Sequence, residues 1–233
     1  MKKKKATEDK FKKIYQIENE DQLVFEFKDE IGVSEDGKKK TIKGRGQLCN
    51  ELSGFIFQYL ESYHIHTHFI KQLSEKEMLV KNIEMIPIEV FVRNVAAGNL
   101  VKQFNVEEGK ELECPITEYY LKDDEGNESM INLDHIVSFG HATTDEMQAI
   151  QRIASKANAI LKDYFRRRGL RLVDIGLEFG RYKSKLLLGD EISPNNCRIW
   201  DLLTGAKYDY DILSQDIKDA GEKYQELRNH IFT

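Results

Sequence analysis

The stretch LRLVDIGLEFGRYKSKLLLGDEISPNNCRIWD, from Leu170 to Asp201, predicts two apolar strands with charged groups on them and just beyond them. The β-branched, aliphatic and aromatic residues around Asp174 and Glu178 favour a mostly buried strand. A buried carboxylate is costly unless a cation or hydrogen bonds compensate its charge. The stretch therefore predicts a metal or polyphosphate site. Taken without the rest of the chain, a hairpin with a solvated charged face is the simpler interpretation.

Strand alternation places Asp174 and Glu178 on one face, about 13 Å apart at about 3.3 Å per residue. If the turn centres near Tyr182, Asp174 lies opposite Asp190, and Glu178 is too far from Asp190 to share an ion directly. A bulge or a wider loop would change that register, so a shared ion stays open. Carboxylate oxygens without nearby His or Cys suit Mg²⁺, which bridges to substrate phosphates.

Composition limits the class of protein. The chain has 233 residues, 40% hydrophobic and 32% charged, enough for a sizeable core in one large domain or two small lobes. Its net charge of -5 argues against a nucleic-acid module, which needs a basic surface. Residues 1–5 are basic without an apolar segment behind them, and no apolar run approaches membrane-span length, so we expect a soluble, cytoplasmic protein with no membrane partner. The widely spaced Cys49, Cys114 and Cys197 suit reduced thiols.

The periodicity predicts short strands and one helix in the first eighty residues, and a second long helix from Thr143 to before Gly169. Thr143 and Glu146 there form a capping-box pattern. We expect an α+β fold with an antiparallel, β-rich N-terminal lobe over residues 1–84, a larger α+β lobe over 85–233 and the active site in the cleft. The predicted elements are strands at Phe11–Ile17, Leu23–Phe27, His68–Lys71, Met78–Ile83 and Ile86–Arg93, and helices at Gln47–Tyr63 and about Asp211–His230.

Two arginines stand at strand ends beside small-residue turns. Arg93 precedes an Asn-Val-Ala-Ala-Gly turn, and Arg198 follows Ser193-Pro194. Such arginines bind phosphate or carboxylate groups in bidentate fashion, although each could instead pair with a surface acid.

The lysines near the first strand could reach phosphates or belong to a solvated tail. The three histidines of HIHTH, residues 64–68, could hold zinc if they formed a strand, but no further ligand follows at a familiar spacing.

Four blocks of the sequence together resemble the phosphoribosylaminoimidazole-succinocarboxamide synthase family, the SAICAR synthetases of purine biosynthesis. They occur in the family's order, with weaker similarity from about Lys10 to the end. The blocks are THFIKQ (Thr67–Gln72), IPIEVFVRNVAAGNLVK (Ile86–Lys102), LVDIGLEFG (Leu172–Gly180) and LGDEISPNNCRIWD (Leu188–Asp201).

The resemblance implies a ligase that uses ATP and Mg²⁺ to join L-aspartate to carboxyaminoimidazole ribonucleotide (CAIR) through an acyl phosphate. It also implies a two-lobed, ATP-grasp-like fold and a homodimer. By this likeness the catalytic residues are Asp174, Glu178 and Asp190, with Glu178 and Asp190 as metal ligands. The ATP-binding residues are Lys10, Lys12, Lys81, Lys122 and Glu178, and the ribonucleotide-binding residues are Arg93, Asn99, Asp174 and Arg198.

Several positions depart from the family pattern. Asp9-Lys10-Phe11-Lys12 stands where Gly-Lys-Ala-Lys is usual, and Gly176 stands where the family has a lysine. Loss of that lysine would weaken charge stabilisation unless Arg181, Lys183 or Lys185 replaces it. The remaining departures are Asn99 for serine, Glu128-Ser129 for Asp-Pro and Gly32-Val33 for Ser-Ala.

Two alternatives to the ligase remain from the sequence alone. One is another ATP-dependent phosphotransferase on a related two-lobed scaffold, which the same carboxylates and lysines would serve. The other is a non-catalytic nucleotide-binding protein, suggested by the departures at Asp9 and Gly176. The sequence has no P-loop and no kinase catalytic-loop motif, which argues against the ordinary NTPase and kinase classes.

Overall fold

The computed structural model describes residues 2–33, 39–123, 128–215 and 217–232. The described strands pair in antiparallel sheets and several follow one another without an intervening helix, which confirms the α+β class. The strands are β1 (Lys4–Glu8), β2 (Lys12–Gln16), β3 (Gln22–Phe27), β4 (Glu30–Val33), β5 (Lys39–Thr41), β6 (Phe69–Gln72), β7 (Glu77–Lys81), β8 (Glu84–Val95), β9 (Glu111–Lys122), β10 (Glu128–Ile131), β11 (Leu170–Tyr182), β12 (Lys185–Gly189) and β13 (Cys197–Asp201). The helices are α1 (Arg45–Ser62), α2 (Asn99–Phe104), α3 (Leu133–Ser138), α4 (Thr144–Arg166), α5 (Tyr210–Leu213) and α6 (Ile217–Phe232).

The first sheet is built from the N-terminal part of the chain. Its antiparallel strands run in the order β1-β2-β3-β7-β6, and α1 packs against β6, β3 and β7. Leu48, Leu52 and Ile56 of α1 are fully or almost fully buried at helical spacing, so the helix contributes one continuous apolar stripe to the core. The lysine-rich start forms the exposed edge strand β1.

The second sheet provides the platform for the site described below. Its order is β10-β9-β8-β11-β12, with β13 also paired to β11, and each of these pairings is antiparallel. Helix α4 packs on β11 through a stripe that includes Ala154, Ala157 and Leu161. The predicted capping box is present, because the Thr143 side chain accepts from the Glu146 amide and Glu146 accepts from the Thr143 amide.

The register expected for Leu170–Asp201 is wrong. The tight turn is at Lys183–Ser184, with Tyr182 opposite Lys185, and this places Glu178 opposite Gly189. Asp174 lies opposite Arg198 of β13 and Arg93 of β8, rather than opposite Asp190. The difference arises because the stretch forms three strands: the chain leaves the sheet after Gly189 and returns as β13.

The C-terminal helix predicted at Asp211–His230 is divided into α5 and α6. Helix α6 returns to α1, where Arg228 forms an ion pair of 2.7 Å with Glu51. The last described helix therefore packs against the first one. Within the described residues, none of the helices is both long and apolar enough to cross a membrane.

Candidate active site

Three neighbouring strands of the second sheet present side chains, most of them polar, to one cavity of about 740 Å³. On β8 these are Glu89, Phe91 and Arg93, at alternate positions. Asp174 of β11 and Tyr120 of β9 line the same cavity. Because alternate residues of a strand share a face, one face of the sheet forms the floor of the cavity.

Asp174 holds two arginines at that floor. One of its oxygens, Oδ2, accepts from Arg93 at 2.8 Å and from Arg198 at 2.9 Å. Arg93 also donates to Glu118 at 2.6 Å, and Arg198 pairs with Asp211. Burial raises the pKa of Asp174, and the two guanidinium groups oppose that rise. Each arginine is thereby held at the cavity by Asp174 and by one carboxylate of another element, Glu118 of β9 or Asp211 of α5.

The second oxygen of Asp174 has no hydrogen-bond partner among the described residues, although Asp174 is fully buried. Buried acceptors are nearly always satisfied, because leaving one unpaired costs about 1–3 kcal/mol. An acceptor of this kind at the floor of a cavity is suited to a donor group on a bound molecule.

A second charged cluster surrounds Lys12. Its ammonium lies 2.8 Å from Asp190, 3.1 Å from Asp9 and 3.3 Å from Glu191. Although burial disfavours the ammonium, the carboxylates raise the pKa of Lys12 well above its usual value. Burial alone would raise the pKa of Asp190, but Lys12 holds it below its usual value. Asp190 adopts a left-handed conformation with φ of 58°, which turns the chain away from β12.

Glu178 of β11 lies opposite Gly189, the residue before Asp190, and so stands beside this cluster. It pairs with Lys122 of β9. Lys122 also lies 3.4 Å from Glu89, which is opposite Glu178 on β8. Burial and the charge of Asp190 raise the pKa of Glu178 to about 7. Burial, together with the neighbouring Glu178 and Glu128, raises the pKa of Glu89 to about 8. Lys122 is thus shared by two carboxyl groups that repel each other.

Gly176 lies on the floor between Asp174 and Glu178, opposite Phe91. A Cβ placed at Gly176 would overlap Oε1 of Glu89 and approach Cζ of Phe91 to 3.1 Å. The Glu89 carboxyl therefore occupies the space into which a side chain at position 176 would extend. No lysine fits there unless Glu89 moves.

Arg181, Lys183 and Lys185, the cations expected to replace the missing lysine, do not lie beside Gly176. Arg181 donates to Glu146 at 2.6 Å and to Glu84 at 3.1 Å, at the far end of the hairpin. Lys183 lies in the turn of that hairpin and Lys185 begins β12 next to it, and both are exposed. The cation that the structure places against Glu178 is Lys122 instead.

The other predicted ligand-binding residues are divided between two places. Lys10 and Asn99 line the cavity, and the Lys10 ammonium lies 4.4 Å from the centre of the Tyr210 ring. Lys81 lies outside the described lining of the cavity and donates to the carbonyl of Thr67 at 2.9 Å. The structure therefore brings every predicted residue except Lys81 to the cavity or to the charged clusters around Lys12 and Lys122.

Sequence reasoning missed Glu89, Glu118 and Tyr120. The signal was available, because IPIEVFVR alternates Glu89, Phe91 and Arg93 just as the later strand alternates Asp174 and Glu178. The β9 segment was not predicted as a strand, so its polar alternation went unnoticed.

The histidine tract does not form a zinc site. His68 is buried between Phe25 and Phe57, and burial lowers its pKa to about 3. His64 has a left-handed backbone with φ of 61°, which interrupts the strand that a shared face would need. Among the described residues, no group of three or more His, Cys, Asp or Glu side chains is arranged to hold a metal.

Comparison with known proteins relates the chain to one family. The family model described as SAICAR synthetase matches residues 5–231. A phosphoribosylaminoimidazole-succinocarboxamide synthase of Chloroherpeton thalassium is 46% identical over 224 residues, covering 96% of this chain and 95% of the relative. The enzyme of the same name from Clostridium novyi is 43% identical, covering 99% of this chain and 98% of the relative.

Solved structures show the same relation. The phosphoribosylaminoimidazole-succinocarboxamide synthase of Ehrlichia chaffeensis has a TM-score of 0.91 and 38% identity, with 98% of each chain covered. A SAICAR synthetase in complex with ADP has a TM-score of 0.89 and 43% identity, with 97% of each chain covered. These similarities confirm the two-lobed fold expected from the sequence.

Proposed function

The chain belongs to the SAICAR synthetase family, and from this premise we propose how its residues carry out the family's reaction. It is an ATP-dependent ligase of purine biosynthesis that joins L-aspartate to CAIR and releases SAICAR, ADP and phosphate. The observation that carries the proposal is the paired arrangement of Arg93 and Arg198 around Asp174, next to the carboxylates and lysines around Asp190 and Glu178.

The chemistry needs two kinds of groups. A carboxylate is a poor electrophile toward an amine, so ATP first converts the CAIR carboxylate into an acyl phosphate. The amine of aspartate then attacks the acyl carbon, and phosphate leaves. Cationic groups must hold the reacting phosphate, and other groups must hold the ribonucleotide so that its carboxylate faces that phosphate.

We assign the ribonucleotide to the Asp174 end of the cavity. Arg198 and Asn99 line this end of the cavity and can bind the phosphate of the ribonucleotide or the groups next to it. Asp174 orients Arg198 by accepting a hydrogen bond from its guanidinium group. The unpartnered oxygen of Asp174 suits an N–H donor of the substrate. Arg93 supports this end from below through its bonds to Asp174 and Glu118.

We assign the ATP phosphates to the end marked by Lys10, Lys12 and Lys122, with Glu178 and Asp190 as Mg²⁺ ligands. The donor set fits this ion, because both side chains offer hard carboxylate oxygens from adjoining positions of the β11–β12 hairpin. The charge of Asp190 helps to raise the pKa of Glu178, and a bound cation would relieve this repulsion. With two protein ligands, water and phosphate oxygens would complete the coordination. Held by Glu178 and Asp190, Mg²⁺ would supply positive charge that offsets the phosphate charge during phosphoryl transfer.

The organisation of the chain supports a division at about residue 84. The chain passes from the first sheet to the second between Lys81 and Glu84, and the loop before β2 contributes Lys10 to the cavity. Residues 1–84 are proposed to form the lobe that contributes the ATP-binding loop, and residues 85–233 the lobe with the ribonucleotide, metal and further ATP sites.

We further propose a homodimer in the cytoplasm. The free thiols of Cys49, Cys114 and Cys197 suit a reducing compartment, and sedimentation equilibrium tests the dimer.

Measurement of ADP release tests the function. Purified protein with Mg²⁺ and ATP receives CAIR and aspartate separately and together, and the amide product is measured by mass. We expect ADP release to depend on CAIR and amide to form only with aspartate. Asp190→Asn should lose both signals, whereas Asp145→Asn, exposed in the first turn of α4, should retain both. ADP release that ignores CAIR, or transfer to an unrelated acceptor, would contradict the proposal.

A further inference from the structure

Asp9 fills an anion-binding position made by its own loop. One oxygen of its carboxylate accepts from the amides of Phe11 at 2.7 Å and Lys12 at 2.8 Å. The other oxygen lies 3.1 Å from the Lys12 ammonium. Two backbone N–H groups and one ammonium therefore converge on a single carboxylate. Converging groups of this kind are what proteins use to bind phosphate.

The loop stands at the edge of the cavity and is firmly held. Lys10 and Phe11, which are consecutive residues of the loop, both line the cavity. Lys28 fixes the loop backbone, because its ammonium donates to the Asp9 carbonyl at 2.7 Å and its amide donates to the Phe11 carbonyl at 2.9 Å. The Asp9 side chain can therefore leave its partners while the loop backbone stays in place.

Lys12 has no donor to spare for a phosphate. An ammonium has three N–H donors, and this one faces three carboxylates: Asp9, Asp190 and Glu191. The side chain of Asp9 is 43% exposed, compared with 19% for Asp190 and 2% for Glu191. Asp9 is thus the carboxylate that can be displaced at least cost, because it returns to water.

We propose that Asp9 is a displaceable internal anion, which the polyphosphate of the nucleotide replaces on the Phe11 and Lys12 amides and the Lys12 ammonium. Asp9 then competes with the nucleotide and sets the affinity of this protein for nucleoside polyphosphates. The inference rests on the proposed ATP-binding function of the loop. It predicts that removing Asp9 strengthens binding, whereas a carboxylate that merely shaped the loop would weaken binding when removed.

Calorimetric titration of Mg²⁺-ATP, without CAIR or aspartate, tests this competition. Asp9→Ala removes both charge and acceptor, and we expect ATP to bind about 3- to 10-fold more tightly because a like charge leaves the phosphate position. Asp9→Asn keeps an acceptor without the charge and should fall between Asp9→Ala and the unaltered protein. Glu20→Gln is the matched control, because it removes one exposed carboxylate from the turn between β2 and β3 and leaves the loop and Lys28 unaltered. Its affinity should stay within about twofold of the unaltered protein.

Two further results separate this inference from the proposed function. The gain in Asp9→Ala should grow from AMP through ADP to ATP, because the number of phosphate charges increases. An unchanged or weaker affinity of Asp9→Ala for ATP, in a protein that binds ATP otherwise, would overturn the competition alone. Absence of ATP binding in the unaltered protein and in both Asp9 variants would overturn the competition and the proposed function together.

Discussion

Glu89→Gln should make the metal-free protein more stable, by an amount that increases with pH. Burial and the neighbouring acids raise the pKa of Glu89 to about 8 in the folded state, from an ordinary value of 4.5. The folded protein therefore keeps a proton on Glu89 that the unfolded chain loses above pH 4.5. The stability of the unaltered protein falls as pH rises between these two values. Glutamine imitates the protonated carboxyl and removes this pH-dependent cost, while its amide can still donate to Glu128 and accept from Lys122.

The size of the effect follows from the pKa difference. Each pH unit between 4.5 and about 8 corresponds to about 1.4 kcal/mol in the free energy of unfolding. The full interval gives an upper limit of about 5 kcal/mol, and water entry around the partly exposed Lys122 reduces it. We expect no difference between the two proteins near pH 4.5 and a gain of about 2–3 kcal/mol for Glu89→Gln at pH 8.

Urea unfolding at pH 5, 6, 7 and 8, in EDTA and without nucleotide, measures the difference. Glu84→Gln provides the control on the same strand, because its side chain is 75% exposed and its effect should not vary with pH. A Glu89→Gln difference that stays flat from pH 5 to pH 8, or that becomes destabilising at pH 8, would refute the reasoning. It would mean that Glu89 is ionised in the folded protein and that Lys122 neutralises it fully.

Three further predictions concern separate parts of the molecule. Asp174→Asn should lower the free energy of unfolding by about 3 kcal/mol, because Arg93 and Arg198 lose their shared buried carboxylate, and urea unfolding at neutral pH checks it. Asp190→Asn should reduce turnover about 100-fold or more and lower the melting temperature only moderately, because Lys12 keeps Asp9 and Glu191 as partners and asparagine tolerates the left-handed φ of 58°; unchanged turnover would remove Asp190 from the metal site. Thr143→Ala should cost about 1 kcal/mol of stability by removing the helix cap of α4, with ATP-dependent ligation unaffected.

Much of the fold could be predicted because it depends on local pattern. The capping residues placed the start of α4, and apolar periodicity placed α1 and the strands β2, β3, β7 and β8 within a few residues. Strand β9 escaped prediction because Glu111, Glu113 and Glu118 give it a polar appearance. It forms a strand because it pairs with β8 along most of its length, which is a tertiary effect.

The sequence by itself determined which side chains share a face of a strand, because that depends only on alternation. It therefore set Asp174, Gly176 and Glu178 on one face of β11, and the sequence blocks indicated the family. Only the tertiary structure decided which residues of other strands lie beside them. It put Glu89 in the space next to Gly176 and Lys122 against Glu178, and it moved Asp174 away from Asp190. The physical reason is that strand order and register are set by packing of the whole core, including residues far apart in the chain.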